Sequence, residues 1–213
     1  MKSPIAILAA ILLLNAPLLS QTQEPPIDFS KEPALQLELV VDGKVYHLKD
    51  GEQIKLSDLP PNPTVEVRSA PYRLFNYESI AFEYPTNFSF TFEEDLGYRI
   101  WSLDGSDFII LLFVYDMPVE LDELVGEMVA QFGEENCIIL PFERKLGDVS
   151  CTGKKVDVSL IGQSLSYEIL DIPFPDDKKR ILAFQDIKDE TGNASGESEQ
   201  TIQHINSTFR LKK

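Results

Sequence analysis

The sequence predicts an α+β fold: an antiparallel sheet flanked by helices (an αβα sandwich), preceded by a small β unit. Three observations support this prediction. Several segments between 80 and 103 alternate apolar and polar residues, as half-buried strands do. Segment 108–115 is apolar on both faces, which is typical of a central strand covered from both sides. Segments 121–132 and 197–209 carry apolar residues at helical spacing and can supply the covers.

The amino terminus has the pattern of a cleavable secretory signal. Lys2 supplies a positive charge, an almost unbroken apolar run covers 5–14, and the pattern ends on the small residue Ser20. The run is too short to cross a bilayer as a helix, which takes about 20 residues. We therefore expect a mature chain that begins near Gln21, has no membrane span after cleavage, and is extracytoplasmic, either periplasmic or secreted.

A proline-containing tether and a small β unit follow the signal. The tether contains three prolines and few apolar side chains. In the small β unit, short alternating runs surround two Asp-Gly pairs, and an Asp-Gly pair between such runs is a strong hairpin signal. The sequence thus divides into a signal (1–20), a flexible linker (21–34), a small β unit (35–70) and a main α+β domain (71–213).

The front half of the main domain has the pattern of four strands and a helix. The predicted strands are 80–84, 88–92, 98–103 and 108–115. In the helix 121–132 the apolar residues form one continuous stripe. Asp122 and Glu123 lie in its first turn, where the helix dipole favours acidic side chains. Gly133 follows the helix as a stop signal.

The back half of the main domain has the pattern of a three-stranded meander and a last helix. The predicted strands are 155–161, 165–172 and 180–187. Ser195 is suited to cap the helix that follows, because its hydroxyl can accept from a free backbone N–H of the first turn. Ile202, Ile205 and Phe209 share one face of this helix, so we expect that face to pack on the sheet.

The chain is strongly acidic, with 19 Lys and Arg against 35 Asp and Glu and a formal net charge of −16. Such a surface repels phosphate backbones and anionic membranes, so no nucleic-acid partner is expected. It attracts positive surfaces, and the expected partner is another envelope protein or a basic ligand. The same charge also keeps an exported protein soluble without any specific partner.

Cys137 and Cys151 are the two cysteines of the chain. An even pair in an exported protein predicts a disulfide. A hairpin that turns near Arg144 would bring the two positions opposite each other, and a link across so short a loop stabilises by about 3 kcal/mol in the chain-entropy model. The alternative, a reactive or metal-binding thiol pair, is disfavoured because there is no C-x-x-C spacing and no nearby histidine.

Three features of the main domain resemble PsbP-like domains. They are the alternating strand Ile80–Pro85 that ends in Tyr-Pro, the helix at 119–133 after a very apolar strand, and a last helix that ends at Phe209. PsbP is an extrinsic subunit of photosystem II, and its fold recurs in exported bacterial proteins. The resemblance spans 75–210 in outline and implies an αβα sandwich with a binding or assembly role. The unit at 35–70 departs from the family's simplest form, and no metal ligand of the family transfers to this chain.

The sequence contains no recognised catalytic motif. G-x-S-x-G, the Walker loop, G-x-G-x-x-G and H-E-x-x-H do not occur. His47 and His204 lie far apart in the sequence, and His204 is expected to face solvent. We therefore predict no catalytic residue, no cofactor and no metal. A hydrolase that uses an unmarked pair of carboxylates is the alternative, because acidic residues are plentiful.

One segment, 186–197, concentrates hard oxygen ligands of the kind that calcium requires. Its candidate ligands are Asp186, Asp189, Glu190 and Glu197. Against the EF-hand pattern, Lys188 and Thr191 stand where an oxygen ligand and a glycine are needed. A polar loop that leads into the last helix explains the same composition, so a weak calcium site is an alternative hypothesis.

These features together predict an exported, non-enzymatic binding or assembly module of the cell envelope. The carboxylate-dependent hydrolase and the weak calcium-binding protein are the alternatives. A polar cleft with two facing carboxylates would favour the hydrolase. Calorimetry that shows no heat on titration with calcium would dismiss the calcium-binding protein.

Overall fold

The computed structural model describes residues 31–48, 53–57 and 59–212. The predicted signal (1–20) and most of the predicted linker (21–34) lie outside these residues. The described end of the linker contacts the main body of the protein.

Within the described residues the chain forms thirteen strands and two α-helices. The strands are β1 (Leu37–Val41), β2 (Lys44–Leu48), β3 (Val65–Ser69), β4 (Tyr72–Tyr77), β5 (Ile80–Pro85), β6 (Ser89–Asp95), β7 (Tyr98–Asp104), β8 (Phe108–Tyr115), β9 (Cys137–Leu146), β10 (Val149–Leu160), β11 (Gln163–Asp171), β12 (Lys179–Ile187) and β13 (Arg210–Leu211). Helix α1 spans Leu121–Phe132 and helix α2 spans Gly196–Thr208. No helix in this part of the chain is long and apolar enough to cross a membrane.

The strands form three sheets, and every pairing is antiparallel. A central seven-stranded sheet has the order β6-β7-β8-β12-β11-β10-β9. A second sheet has the order β13-β5-β4, and its strands come from before and after the central sheet in the chain. A third sheet, β2-β1-β3, forms the small β unit at 35–70, called the front unit below. The central sheet therefore has two faces to cover and two edges, β6 and β9.

Helix α1 covers one face of the central sheet. Its buried side chains are Leu124, Val125, Met128, Val129 and Phe132, which follow helical spacing. They pack on aliphatic and aromatic residues of β7, β8, β10, β11 and β12. This face is one continuous apolar core.

The opposite face of the central sheet is shared by the sheet β13-β5-β4 and helix α2. Ile80, Phe82 and Tyr84 of β5 are fully buried in this second core, with Ile205 of α2 and Phe209 directly after it. Helix α2 packs against β5 and reaches β9 at the edge of the central sheet. The second core therefore fills only part of this face.

The predicted αβα sandwich is wrong. The chain is mostly antiparallel β, and a second sheet lies where the prediction placed only a helix. The sequence pattern does not predict β4 or β13, and it assigns β5 to the main sheet. Alternation shows that a strand such as β5 has a buried face, but it does not show which sheet the strand joins.

The front unit forms its own small sheet, β2-β1-β3. Glu38 is one of its few buried side chains, and it lies opposite His47 on β2 and Arg68 on β3. Arg68 Nε donates a hydrogen bond to Glu38 Oε2 at 2.9 Å. An ion pair between Glu32 and Arg73 joins the chain just before this unit to β4.

Candidate functional site

A groove with a volume of about 500 Å³ lies between α2 and the strands β9 to β12. It occupies the part of the sheet face that the second core leaves open. One wall is α2, and the segment 192–194 also lines the groove. The floor is formed by the central sheet.

The strand register explains why this floor is polar. Lys155 of β10 lies opposite Glu168 of β11, and Asp157 lies opposite Ser166 in the next pair on the same face. Ser166 in turn lies opposite Asp186 of β12. Because side chains alternate between the two faces, the intervening residues of these strands face α1 and are apolar. Each strand thus has a buried apolar face under α1 and a polar face in the groove.

Arg144 is the most firmly held cation in the groove. Its Nε and Nη2 donate to the two carboxylate oxygens of Glu168, both at 2.7 Å. The guanidinium also lies over the Phe142 ring, 5.4 Å from the ring centroid. A bidentate pair of this kind fixes both side chains and occupies both oxygens of Glu168.

Lys188 is the second cation in the groove, and it pairs with Asp157 at 2.8 Å. Burial alone would raise the pKa of Asp157. Hydrogen bonds from Lys188 and Ser166, with the charges of Lys155 and Lys188, outweigh burial, so the net shift of the Asp157 pKa is downward.

Among the groove residues, Lys155 and Asn206 carry groups that are not paired within the described part of the chain. Lys155, the third cation, forms no ion pair there, whereas its neighbour Lys154 points to the other face and pairs with Asp122 of α1 at 3.1 Å. Asn206 of α2 has a buried side-chain oxygen, Oδ1, without a hydrogen-bond partner. Buried polar atoms in folded proteins are nearly always hydrogen-bonded, so such an atom calls for an explanation.

The structure does not bring the four candidate cation ligands together. The carboxylate of Asp186 accepts from the backbone N–H of Ser195, with both N···O distances 3.3 Å. Asp189 Oδ1 accepts from the backbone N–H groups of Thr191 and Asn193 within its own turn. Glu190 is exposed. No group of three or more acidic, histidine or cysteine side chains suited to a metal occurs in the described residues.

Glu197, the fourth candidate, has a different task. Its Oε2 accepts from the backbone N–H groups of Asp107 at 2.7 Å and Phe108 at 3.0 Å. It therefore ties the start of α2 to the turn between β7 and β8. Gly105 makes this approach possible, because a Cβ there would lie 2.7 Å from Glu197 Oε2 and from the Phe88 ring.

The predicted disulfide is corrected by the structure, in which Cys137 and Cys151 are free thiols. Cys137 lies opposite Val158, whereas Cys151 lies opposite Arg144, seven positions along the same strand pair. At about 3.4 Å per residue, this offset separates the cysteines by roughly 24 Å along the ladder. They also point to opposite faces, since Cys137 packs in the core under α1 and Cys151 in the second core. A disulfide needs Cα atoms within about 7 Å.

Neither thiol is chemically activated. Burial raises the pKa of Cys151 to about 11, and the charge of Asp171 adds to the shift. Burial also raises the pKa of Cys137, with a further contribution from Glu135. A thiol is a nucleophile or metal ligand only as its thiolate, so these shifts disfavour a reactive pair.

A cluster around His204 is absent from the sequence-based predictions. The imidazole stacks on the Tyr72 ring with centroids 3.5 Å apart, and its Nε2 lies 2.9 Å from Glu83 Oε2. His204 is therefore half-buried between α2 and the second sheet, not fully exposed as expected. Spacing along α2 cannot reveal this contact because Tyr72 and Glu83 lie on strands more than a hundred residues earlier.

Comparisons with known proteins add little to this geometry. No protein-family model matches the chain. No curated protein matches it. A crystal structure from Bacteroides thetaiotaomicron VPI-5482, at 1.50 Å resolution, is similar at 13% identity with a TM-score of 0.41. That match covers 68% of this chain, and the chain spans about half (50%) of the matched one. The resemblance to PsbP-like domains therefore stays a prediction.

Proposed function

We propose that this chain is an exported, non-enzymatic binding module and that the groove between α2 and β9–β12 holds its ligand. The proposal rests on the volume of this groove together with the side chains that line it. The volume of about 500 Å³ falls within the range of ligand sites, roughly 300–1,000 Å³. Ile202 supplies exposed apolar surface, the rings of Phe108 and Phe184 are buried at the lining, and charged and amide groups converge around them.

Export and a partner in the cell envelope belong to the same proposal. The support for export is the signal pattern of residues 1–20. The support for a positively charged partner surface is the net charge of −16. The groove is local and contains three cations, so a small ligand in the groove and a basic partner elsewhere on the surface are compatible.

The state of the two carboxylates on the floor of the groove favours binding over hydrolysis. Glu168 and Asp186 both line the groove from neighbouring strands, as the two carboxylates of a hydrolase would. Both oxygens of Glu168 accept from Arg144, and both oxygens of Asp186 face the backbone N–H of Ser195. A general acid or base needs a free oxygen within reach of the substrate, and these two side chains are already bound.

Site-specific photo-crosslinking in the native host tests the proposal. A photoreactive residue replaces Gln203, which is exposed and lines the groove. The matched control replaces Gln131, which is exposed on α1 over the opposite face. We expect a discrete adduct at position 203 and none at 131. Equal labelling at both positions, or none at 203, contradicts a ligand site in the groove.

A further inference from the structure

We infer that the groove accepts a ligand that carries a single carboxylate beside a hydrogen-bond donor. This inference rests on the proposed binding function and specifies the chemistry of its ligand. It begins from the three cations of the groove, which differ in what already holds them. Arg144 and Lys188 are paired with Glu168 and Asp157, whereas Lys155 has no ion pair in the described residues.

Lys155 is therefore the group that an incoming anion meets. It is half-buried, so an ion pair at its ammonium is screened less than one on the open surface. Arg144 binds Glu168 through Nε and Nη2, which leaves Nη1 outside that pair. A carboxylate placed at Lys155 would meet positive charge without displacing an existing contact.

The acidic groups nearby limit the charge of this anion to about one. Glu168, Asp186 and Glu199 line the same groove, and Asp157 lies beside Lys188. A phosphate monoester carries close to two negative charges at neutral pH and would be repelled by these groups. One unpaired cation among several carboxylates matches a monoanion, and the net charge of −16 acts in the same direction.

Asn206 is the reason why we expect a hydrogen-bond donor on the ligand. Asn206 lines the groove from α2, and its buried Oδ1 has no hydrogen-bond donor among the described residues. A ligand N–H or O–H placed there would satisfy it, and a site with a buried unpaired acceptor discriminates against ligands that lack the donor. Ile202, from the preceding turn of the same helix, gives the body of the ligand an apolar contact.

Two families of small molecules present this chemistry: acylated amino acids, in which an amide N–H adjoins the carboxylate, and uronic acids, in which hydroxyls do. The test uses the full mature chain and NMR titration of its backbone amides. The probes are N-acetyl-L-alanine and glucuronate. Their neutral counterparts, N-acetyl-L-alaninamide and glucose, serve as controls. We expect one of the carboxylate probes to shift amides of β10, β11 and α2, with affinity at least tenfold above that of its neutral counterpart, about the effect of one charged hydrogen bond.

Substitutions at three positions test which side chains cause the preference for the carboxylate probe. Lys155→Gln should abolish the preference for the carboxylate, and Lys155→Arg should retain it. Lys154→Gln removes the same charge from the opposite face of β10 and should leave the preference unchanged. Asn206→Leu should weaken the probe while the carboxylate preference persists.

The outcomes separate this inference from the proposed function. Equal binding of charged and neutral probes, or a preference that survives Lys155→Gln, overturns the carboxylate assignment and leaves the binding function standing. If neither probe binds while crosslinking at position 203 gives its adduct, the ligand class is wrong and the function stands. If crosslinking at 203 also fails, the proposed function falls with it.

Discussion

The two faces of the central sheet are built from the same strands but are covered by different elements. Under α1, aliphatic and aromatic residues of β7, β8, β10, β11 and β12 form a closed core, in which Gln185 is the buried amide. On the other face, the apolar core under β5 gives way to a row of charged side chains beside α2. Both faces hold an apolar core, and the second also leaves room for the groove in which we propose that a ligand binds.

The two helices are held on these faces by different forces. Helix α1 buries a stripe of five apolar side chains. Helix α2 buries Ser198, Thr201 and Ile205, a mostly polar set, and Glu197 anchors its first turn through hydrogen bonds. A helix held by a few polar contacts can border a groove, because it does not have to fill the space beneath it.

The largest effect is expected on the closed face. Leu124 of α1 is fully buried, and Leu124→Ala should lower the free energy of unfolding by about 3 kcal/mol, because it removes buried methyl groups and leaves a cavity. Urea denaturation measures the change. Leu121→Ala, at a half-buried position on the same helix, is the control and should cost about 1 kcal/mol or less. Equal costs at the two positions would show that α1 is not held as described.

A smaller effect is expected where α2 is anchored. Glu197→Ala removes the acceptor of the Asp107 and Phe108 N–H groups and should destabilise by about 2 kcal/mol. Amide hydrogen exchange should accelerate at Phe108 in particular. Glu190→Ala, in the same acidic segment but exposed, should change stability by less than about 0.5 kcal/mol. Similar effects of the two variants would remove the anchoring role of Glu197.

The smallest effect has the opposite sign and lies in the groove. Asn206→Leu removes a buried acceptor that has no partner in the described residues, so we expect it to raise the free energy of unfolding by about 1 kcal/mol. Thermal and urea unfolding of the ligand-free protein measure the gain. A loss of stability instead would mean that Asn206 serves the fold and not a ligand, and the contrast between the two faces would weaken.

Local pattern predicted the elements of the closed face well. Strand β8 and helix α1 have the predicted bounds, 108–115 and 121–132, because each has a complete pattern of its own. The second sheet was beyond such reasoning, since β5 pairs with β13 from the end of the chain and no short-range signal specifies that partner.

The hairpin of β9 and β10 shows how a charged strand is mistaken for a turn. The charges at 143–145 predicted a turn near Arg144, but β9 continues to Leu146 and the chain reverses at Gly147, where φ is +56°. These charges occupy an edge strand, where polar side chains are common. The error moved the turn by three positions and gave false support to the disulfide that the even pair of cysteines had suggested.

The groove could be predicted only in fragments. Lys155, Asp157, Ser166 and Glu168 alternate with apolar residues, which indicates a wet face on β10 and β11. The sequence alone does not show that α2, some forty residues later in the chain, forms the facing wall. The polar residues of 186–197 are divided between this wall, a local turn and the anchor of α2, which explains why their composition imitates a cation loop.

Because Cys137 and Cys151 are both free thiols, we expect the protein to fold without an oxidant. No disulfide between Cys137 and Cys151 has to form, so the same structure is expected in a reducing cytosol and outside the cell. Recombinant production in ordinary bacterial cytoplasm should therefore yield the native protein directly.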